Sequence, residues 1–355
     1  MKKLLFLLTL LLVFVLAACG LSGNTDGDAG SSENTDGESS NKTSTKGSIV
    51  LNMSLPEGPG TKNDAGAQAF KSKLEEITNN ELTVKIHYSN AFGGEREVYE
   101  MMGQNTLELA LQSSGPMGVF DKKMYIFDLP YLFKNSAHAR ATLDGEVGEE
   151  LAKTFEEAAN VKILSWVENG FVVIGSSGKK IEKVEDLKGY KIRVQESEVQ
   201  IDTWKAVNAI PTPMAWPEVY TSLQQGVIDG HDQALMVLET GGFDDIQDSV
   251  TILDARFVAA PISMSLDKFN SLSEEHQAAL LEAAEYGKEQ GRIKIDEMYA
   301  SSKKYLGTEG GMEIIEFSDE EKQKYLDQVQ DVYAKWTSVI GEDLIKKVQD
   351  ARDEY

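Results

Sequence analysis

The chain has 355 residues, with 35 lysines and arginines against 58 aspartates and glutamates, a net charge of −23, one cysteine and four histidines. That length accommodates two ordinary domains of roughly 100–200 residues each, and a single cysteine excludes both an intrachain disulfide framework and a cysteine-rich zinc or iron–sulfur module. The acidity excludes a duplex nucleic-acid binder, which needs basic residues to neutralise phosphates, and four scattered histidines predict neither a metal site nor a cofactor.

Lys2 and Lys3 precede an almost unbroken apolar run from Leu4 to Leu16. A bilayer needs about 20 apolar residues, so this run reads as a signal peptide over residues 1–18 rather than a membrane span. Leu16-Ala17-Ala18-Cys19-Gly20 then resembles the lipobox of bacterial lipoproteins, which makes Cys19 the lipidated first residue of the mature chain. Residues 20–47 contain six Gly, six Ser, four Thr and three Asn but one large aliphatic residue. Such a segment cannot bury enough apolar area to offset its ordering entropy, and as a flexible tether it reaches about 30 Å. The leader carries +2 and the tether −3, which leaves −22 on the body from Ser48 onward. A field of that sign repels anions at long range, so any anion site must be local and sheltered.

Within the body, strand-like runs alternate with helical ones, the pattern of α/β domains with largely parallel sheets. Ser48–Ser54 and Leu82–Tyr88 read as strands around a helix whose apolar face is Ala65, Ala69, Phe70, Leu74 and Ile77. Further strands are expected at Leu107–Leu111, Val161–Val167, Phe171–Gly175, Tyr190–Val194, Val227–Asp229 and Phe257–Ser265. Helices are expected at Arg96–Met102, Ser136–Ala158, Glu198–Val207 and Pro217–Gln225. Toward the C-terminus, Ser273 with Glu274 and Glu275 opens a helix of roughly 30 residues, far above the mean of 11–12. Gly287 and Gly291 lie on its apolar stripe and either kink it or allow close packing. A second helical stretch starts from the capping box Ser318–Glu321, with Tyr325, Val329, Val332, Trp336 and Val339 as a core-facing stripe.

Catalytic motifs are missing: there is no Gly-x-Gly-x-x-Gly, Walker loop, Gly-x-Ser-x-Gly or His-Glu-x-x-His pattern. His87, His138 and His276 read as structural or surface residues. His231 stands beside Asp232 after a strand, a better place for function, but nothing nearby supplies a nucleophile.

The run Val184-Glu185-Asp186-Leu187-Lys188-Gly189-Tyr190-Lys191-Ile192-Arg193-Val194, then Pro211-Thr212-Pro213-Met214-Ala215-Trp216 and Glu218 to Gly230, closely resembles the DctP-type solute-binding proteins of TRAP transporters. Phe92-Gly93-Gly94-Glu95-Arg96-Glu97, Leu107 to Ala110 and Asp128-Leu129-Pro130-Tyr131-Leu132-Phe133 extend the resemblance over nearly the whole body. It implies an α/β, two-domain, periplasmic-binding-protein-like fold with hinge strands and a long domain-spanning helix. Domain I would take residues 48–170 and about 259–298, and domain II residues 171–258 and about 299–355. The implied function is non-enzymatic: capture of a small organic acid between the domains and delivery to TRAP permease subunits in the membrane. The implied place of work is outside the cytoplasm, as a monomer held to the membrane through Cys19.

Arg193 follows an apolar residue at a strand end, where α/β sheets present ligands; by itself a lone arginine there is more often a solvated or salt-bridged surface residue. In the family this arginine pairs with the substrate carboxylate, a match for a guanidinium's donor fork. Trp216 reads as core packing by itself and as a ring against the ligand by resemblance. Glu95 is either a helix-start charge or an acceptor for ligand hydroxyl or amino groups, and Ser54 and Ser113 are placed to donate hydroxyl hydrogen bonds. Two positions depart from the family pattern. Gln233-Ala234 replaces the usual Asn-Pro after the Asp-Gly pair, which reshapes the pocket. Phe171 to Ile174 replaces a second arginine, which favours a monocarboxylate or zwitterion over a C4-dicarboxylate. The rival readings are a receptor of another class, such as an ABC-transporter lipoprotein, and a surface hydrolase using Glu95 or Asp232 as base and His231 as acid.

Overall fold

In the computed structural model, which describes residues 48–355, the alternation read from the sequence becomes two sheets joined by one shared strand. The signal peptide, Cys19 and the tether lie outside the described residues. The first sheet opens with the expected β–α–β unit: β1 (Ile49–Ser54), α1 (Lys62–Ile77) and β2 (Leu82–His87), the two strands parallel. Next come α2 (Glu95–Gly103), β3 (Leu109–Leu111) and two 3-10 segments over Gly115–Val119 and Lys122–Asp128. The single helix expected over 136–158 is two helices, α3 (Ser136–Leu143) and α4 (Glu146–Ala159). Gly145 is extended and starts the second one, and at Gly148 a side chain would collide with the Leu143 carbonyl.

β4 (Val161–Ser176) merges two expected strands into one of 16 residues. It is followed by β5 (Lys191–Val194), α5 (Glu198–Ala206), β6 (Ile210–Pro213), α6 (Val219–Gln224), β7 (Gly230–Ala234) and α7 (Leu235–Thr240). Val227–Asp229, expected as a strand, is the turn before β7, because Gly226 with φ +69° ends the preceding helix and pairing starts at Gly230. β8 (Ser249–Ile252), β9 (Phe257–Ser265), α8 (Leu266–Asn270), α9 (Glu274–Leu306) and β10 (Glu313–Glu316) complete the frame. The last helical stretch breaks into α10 (Asp319–Gln328), α11 (Gln330–Ile340) and α12 (Glu342–Asp350). β6, β8 and β10, of four residues each, escaped the sequence reading. β6 carries Pro211 and Pro213 and is an edge strand, where a missing amide proton leaves no ladder gap.

The strands run in the order β2-β1-β3-β9-β4-β7-β5-β6, and β8 pairs with β4 and β10. The outer pairs are parallel as expected, but β3–β9 and every pair made by β4 are antiparallel. From Val161 to Phe171, β4 pairs with β9, and from Val172 to Ser176 it pairs with β7 and β8. The change of partner follows a register shift between Glu168 and Gly170, where Gly170 has φ +89°.

Two apolar cores lie against this frame, and each draws residues from both sheets. One gathers Tyr99, Phe155 and Trp166 with Ile192, Trp204 and Tyr325; the other gathers Leu51, Phe70 and Leu280 with Leu235, Phe243 and Met312. α9 is 33 residues long and packs on α1, β4 and α7, so it touches both halves. Its glycines serve close packing: a Cβ at Gly287 would stand 2.9 Å from the Gly66 carbonyl oxygen, and one at Gly291 would stand 2.9 Å from a Val167 methyl. Gly287→Val should lower stability by about 1–3 kcal/mol, the range for overpacking, read as a fall in the thermal midpoint. Gly291→Ala, which meets a side chain that can rotate, should fall less.

Candidate functional site

In β5, Ile192 and Val194 enter one core, so the alternation of a strand turns Arg193 to the opposite face. It is paired in register with His231 of β7 and Thr212 of β6. Arg193 is 1% exposed, which removes its reading as a solvated residue. Its Nε donates to the Met214 carbonyl at 3.1 Å. Among the described residues it makes no other hydrogen bond and no ion pair, and its guanidinium carbon stands 5.7 Å from the centre of the Trp216 ring. Burial pulls its pKa below the ordinary arginine value, with Glu95 and Asp232 pulling back from farther off. A guanidinium does not give up its proton inside a protein, so the group remains a cation.

Trp216 begins a 3-10 turn with Pro217 and is half-buried rather than a core residue. It packs on Phe243, at 5.5 Å between ring centres, and on His231, at 6.0 Å. It also lines a cavity of about 290 Å³ between the sheets, together with Tyr220 and Phe243 from one side and Pro56, Glu57 and Asn90 from the other.

His231 is fully buried, and burial first, then the Arg193 charge, pushes its pKa down to about 3. Its Nδ1 stands 3.3 Å from the Gln247 amide, and its Nε2 has no partner. Asp232 leaves β7 on the other side and pairs with Arg256 at 2.7 Å. His231 and Asp232 therefore do not form an acid–base pair despite adjacency in sequence. Gln233 returns to the His231 side, where its Oε1 accepts from the Ala234 amide at 2.8 Å.

Glu95, at the start of α2, accepts from Ser113 Oγ at 2.7 Å and from Gln195 Nε2 at 3.2 Å, and Gln195 also donates to Ser113 Oγ at 2.6 Å. This triangle ties the ends of β3 and β5 across the two sheets. Ser54, at the end of β1, accepts from Gln112 Nε2 at 3.2 Å, and Gln112 Oε1 is buried without a partner. Arg193 and Trp216 thus stand together. Glu95 and Ser113 are hydrogen-bonded partners, and Ser54 is buried and engaged by Gln112.

Sequence reasoning missed Gln195, Gln112, Glu57 and Arg256. Gln195 was within reach, because it lies two residues beyond Arg193. Arg256 is a second buried arginine, supplied by the residue before β9 instead of by β4. It pairs with Asp232 and, at 3.3 Å, with Asp128, whose carboxylate also accepts from Ser197 and Gln200. Arg256 is therefore already paired, and Arg193 is the buried guanidinium left with an open face. Among the described residues no three histidine, cysteine, aspartate or glutamate side chains stand together as metal ligands.

The chain matches the profile of bacterial extracellular solute-binding protein family 7, DctP, over residues 53–338. It belongs to the DctP family of solute-binding proteins. A solute-binding protein of Verminephrobacter eiseniae is 32% identical over 303 residues, covering 85% of this chain and 89% of that one. The 2,3-diketo-L-gulonate-binding periplasmic protein of Escherichia coli is 29% identical, over 81% of this chain and 87% of the other. In fold, the DctP chain resembles the sugar acid binding protein of Advenella mimigardefordensis, solved with galactonate: TM-score 0.84 at 24% identity over 86% of this chain and 98% of that one. It likewise resembles a TRAP periplasmic solute-binding protein of Polaromonas, bound to D-erythronate: TM-score 0.81 at 29% identity over 84% and 98%. DctP proteins are extracytoplasmic receptors, and no helix among the described residues is long and apolar enough to cross a membrane.

A histidine buried neutral makes a specific pH signature. Because the unfolded chain binds a proton near pH 6.5 and the native site does not until about pH 3, stability from this group is present above pH 6.5 and is lost as pH falls through that window. At pH 4.5 the loss is on the order of 2–3 kcal/mol, two pH units at a little over 1 kcal/mol each. His231→Gln should flatten the decline of the thermal midpoint between pH 6.5 and 4.5 relative to the parent; an unchanged slope would show that His231 is not held neutral.

Proposed function

We propose that this DctP protein captures a small organic acid by its carboxylate on Arg193 and closes over it. The observation that carries this reading is a guanidinium 1% exposed with no anionic partner. Burying a charge is costly unless it is paired, and a carboxylate accepting two parallel hydrogen bonds is the complementary group. One open arginine, with Phe171 to Ile174 of β4 in place of a second, favours a monocarboxylate or zwitterion over a dicarboxylate. The Polaromonas relative, bound to D-erythronate, is in keeping with that class.

The two lobes of this reading are residues 48–170 with about 259–298, and 171–258 with about 299–355, hinged where β4 changes partners. α9 couples them, and the C-terminal helices reach back, with α12 on α4 and α11 on the 122–128 segment. Trp216 and Gln233 form the wall beside the carboxylate, with Glu95, Ser113 and Ser54 on the facing side. The protein acts as a receptor without catalysis, since His231 is uncharged and Asp232 and Glu95 are each engaged. It works as a monomer, lipidated at Cys19 and tethered by residues 20–47, and passes its solute to the TRAP permease.

Two measurements test this. In a thermal-shift screen of the chain lacking residues 1–19, one acid class at 100 times its dissociation constant should stabilise the parent by about 2.7 kcal/mol, a shift of several degrees. Arg193→Ala should show no shift with the same acid; an equal response in the variant would remove the carboxylate anchor. In cells, Cys19→Ala should move the protein from the membrane fraction to the soluble one, and retention in the membrane would refute the lipid anchor.

A further inference from the structure

On the side of β7 away from His231, the network of Asp128, Arg256 and Asp232 has one open end. Asp232 is 3% exposed, and Arg256 takes only its Oδ2, at 2.7 Å; its Oδ1 is shielded from water and has no partner. Thr203, in α5 and 5% exposed, has a hydroxyl that is likewise shielded and unpaired. Both residues line one small cavity of about 20 Å³, and Tyr325 of α10 lines it with them. A buried carboxylate oxygen and a buried hydroxyl without partners are costly, and native proteins pair such groups with protein or with ordered water.

The size of the cavity limits what can supply the partner. A water molecule needs about 10–15 Å³ of such space, so this cavity holds one and no organic group fits. Chemistry then selects among guests of that size. A divalent cation takes about six oxygens, whereas this wall offers one carboxylate oxygen and two hydroxyls next to the Arg256 guanidinium, which repels a cation. A water suits all three groups, because a carboxylate only accepts while a hydroxyl both donates and accepts. Tyr325 is 2% exposed, and burial first, then the neighbouring Tyr131 and Asp232, push its pKa well up, so the phenol keeps its proton. That proton is available to the water, whose own two hydrogens go to Asp232 Oδ1 and Thr203 Oγ1. The resulting three bonds are the usual number for a buried water.

We infer that one ordered water is built into this cavity, bonded to Asp232 Oδ1, Thr203 Oγ1 and Tyr325 Oη, and that it fastens α5 and α10 to β7. This goes beyond the receptor reading and does not depend on it. The cavity wall takes Asp128 and Pro130 from the segment before β4 crosses between the sheets and Val172 from β4 after the crossing, so the water sits where the two sheets meet. It braces from behind the strand whose His231 is paired in register with Arg193.

A high-resolution crystal structure of the chain lacking residues 1–19, grown with rubidium chloride, tests it. One density peak should stand within about 2.6–3.2 Å of all three oxygens, without rubidium anomalous signal. A rubidium signal there would make this a cation site and overturn the inference. Well-ordered density with no peak, or a direct hydrogen bond between Thr203 and Asp232, would overturn it too. In solution, magnetic relaxation dispersion of water oxygen counts long-lived internal waters. The double variant Thr203→Val with Tyr325→Phe leaves Asp232 as the sole partner, below the roughly two to four that a buried water needs, and should lower the count by one. Thr203→Ile, whose added methyl fills the cavity, should do the same and serves if the double variant folds poorly. A count unchanged in the folded variants refutes the built-in water.

Discussion

A cation sealed inside the protein with one backbone carbonyl for company constrains everything around it. Leaving a buried charge without its partner costs about 3–5 kcal/mol in proteins where this has been measured, so the surroundings of Arg193 must tolerate an unpaired cation. They do so with weak, distributed attraction. The Met214 carbonyl holds Nε, the π face of Trp216 lies near the guanidinium, and Glu95 and Asp232 act from beyond ion-pair distance. A closer carboxylate of the protein's own would pair the arginine as Asp232 and Asp128 pair Arg256. His231, its register partner across the ladder, stays uncharged and so adds no second positive charge.

The same strand alternation that isolates Arg193 separates two kinds of chemistry by sheet face. His231 and Gln233 share the Arg193 face, whereas Asp232 projects to the opposite face and joins the closed network with Arg256 and Asp128. That network draws on the 122–128 segment, α5, β7 and the lead-in to β9, so it bonds parts of both sheets together behind the site. A paired arginine and an open one thus differ by which face of the strand their neighbours occupy: the first is fastened to Asp232 and Asp128, and the second keeps its guanidinium free of any carboxylate.

The two sheets are joined by one strand that belongs to both. β4 holds, because it is hydrogen-bonded in both sheets along 16 residues. Its irregularities at Ile163–Ser165 and Glu168–Gly170, with Gly170 at a positive φ, break the ladder where the partner changes. α9 crosses the same boundary and is seated on α1 by glycines that admit no side chain, a contact that fixes it firmly to one sheet. Bulges bend a strand without ending it, so β4 turns from one sheet into the other while staying continuous.

Much of this was legible from the sequence. Capping residues and a long apolar stripe gave α9 and the Ser318 start of α10, and alternating elements gave the α/β class. Local rules suffice there because caps and periods depend on neighbours within a few residues. The family pattern located Arg193, Trp216, Glu95, Ser54, Ser113 and Gln233, but a pattern does not record partners. Tertiary structure decided that Arg193 is buried and open while Arg256 is buried and closed, a distinction that depends on Asp128 and Asp232, far from both in sequence. It decided that Glu95 is bound to Ser113 and Gln195, and that His231 and Asp232 face apart. It also brought Glu57 and Asn90, from separate loops, to one cavity wall. Periodicity says which way a side chain points along its own element; which charge it meets there is fixed only when distant segments pack.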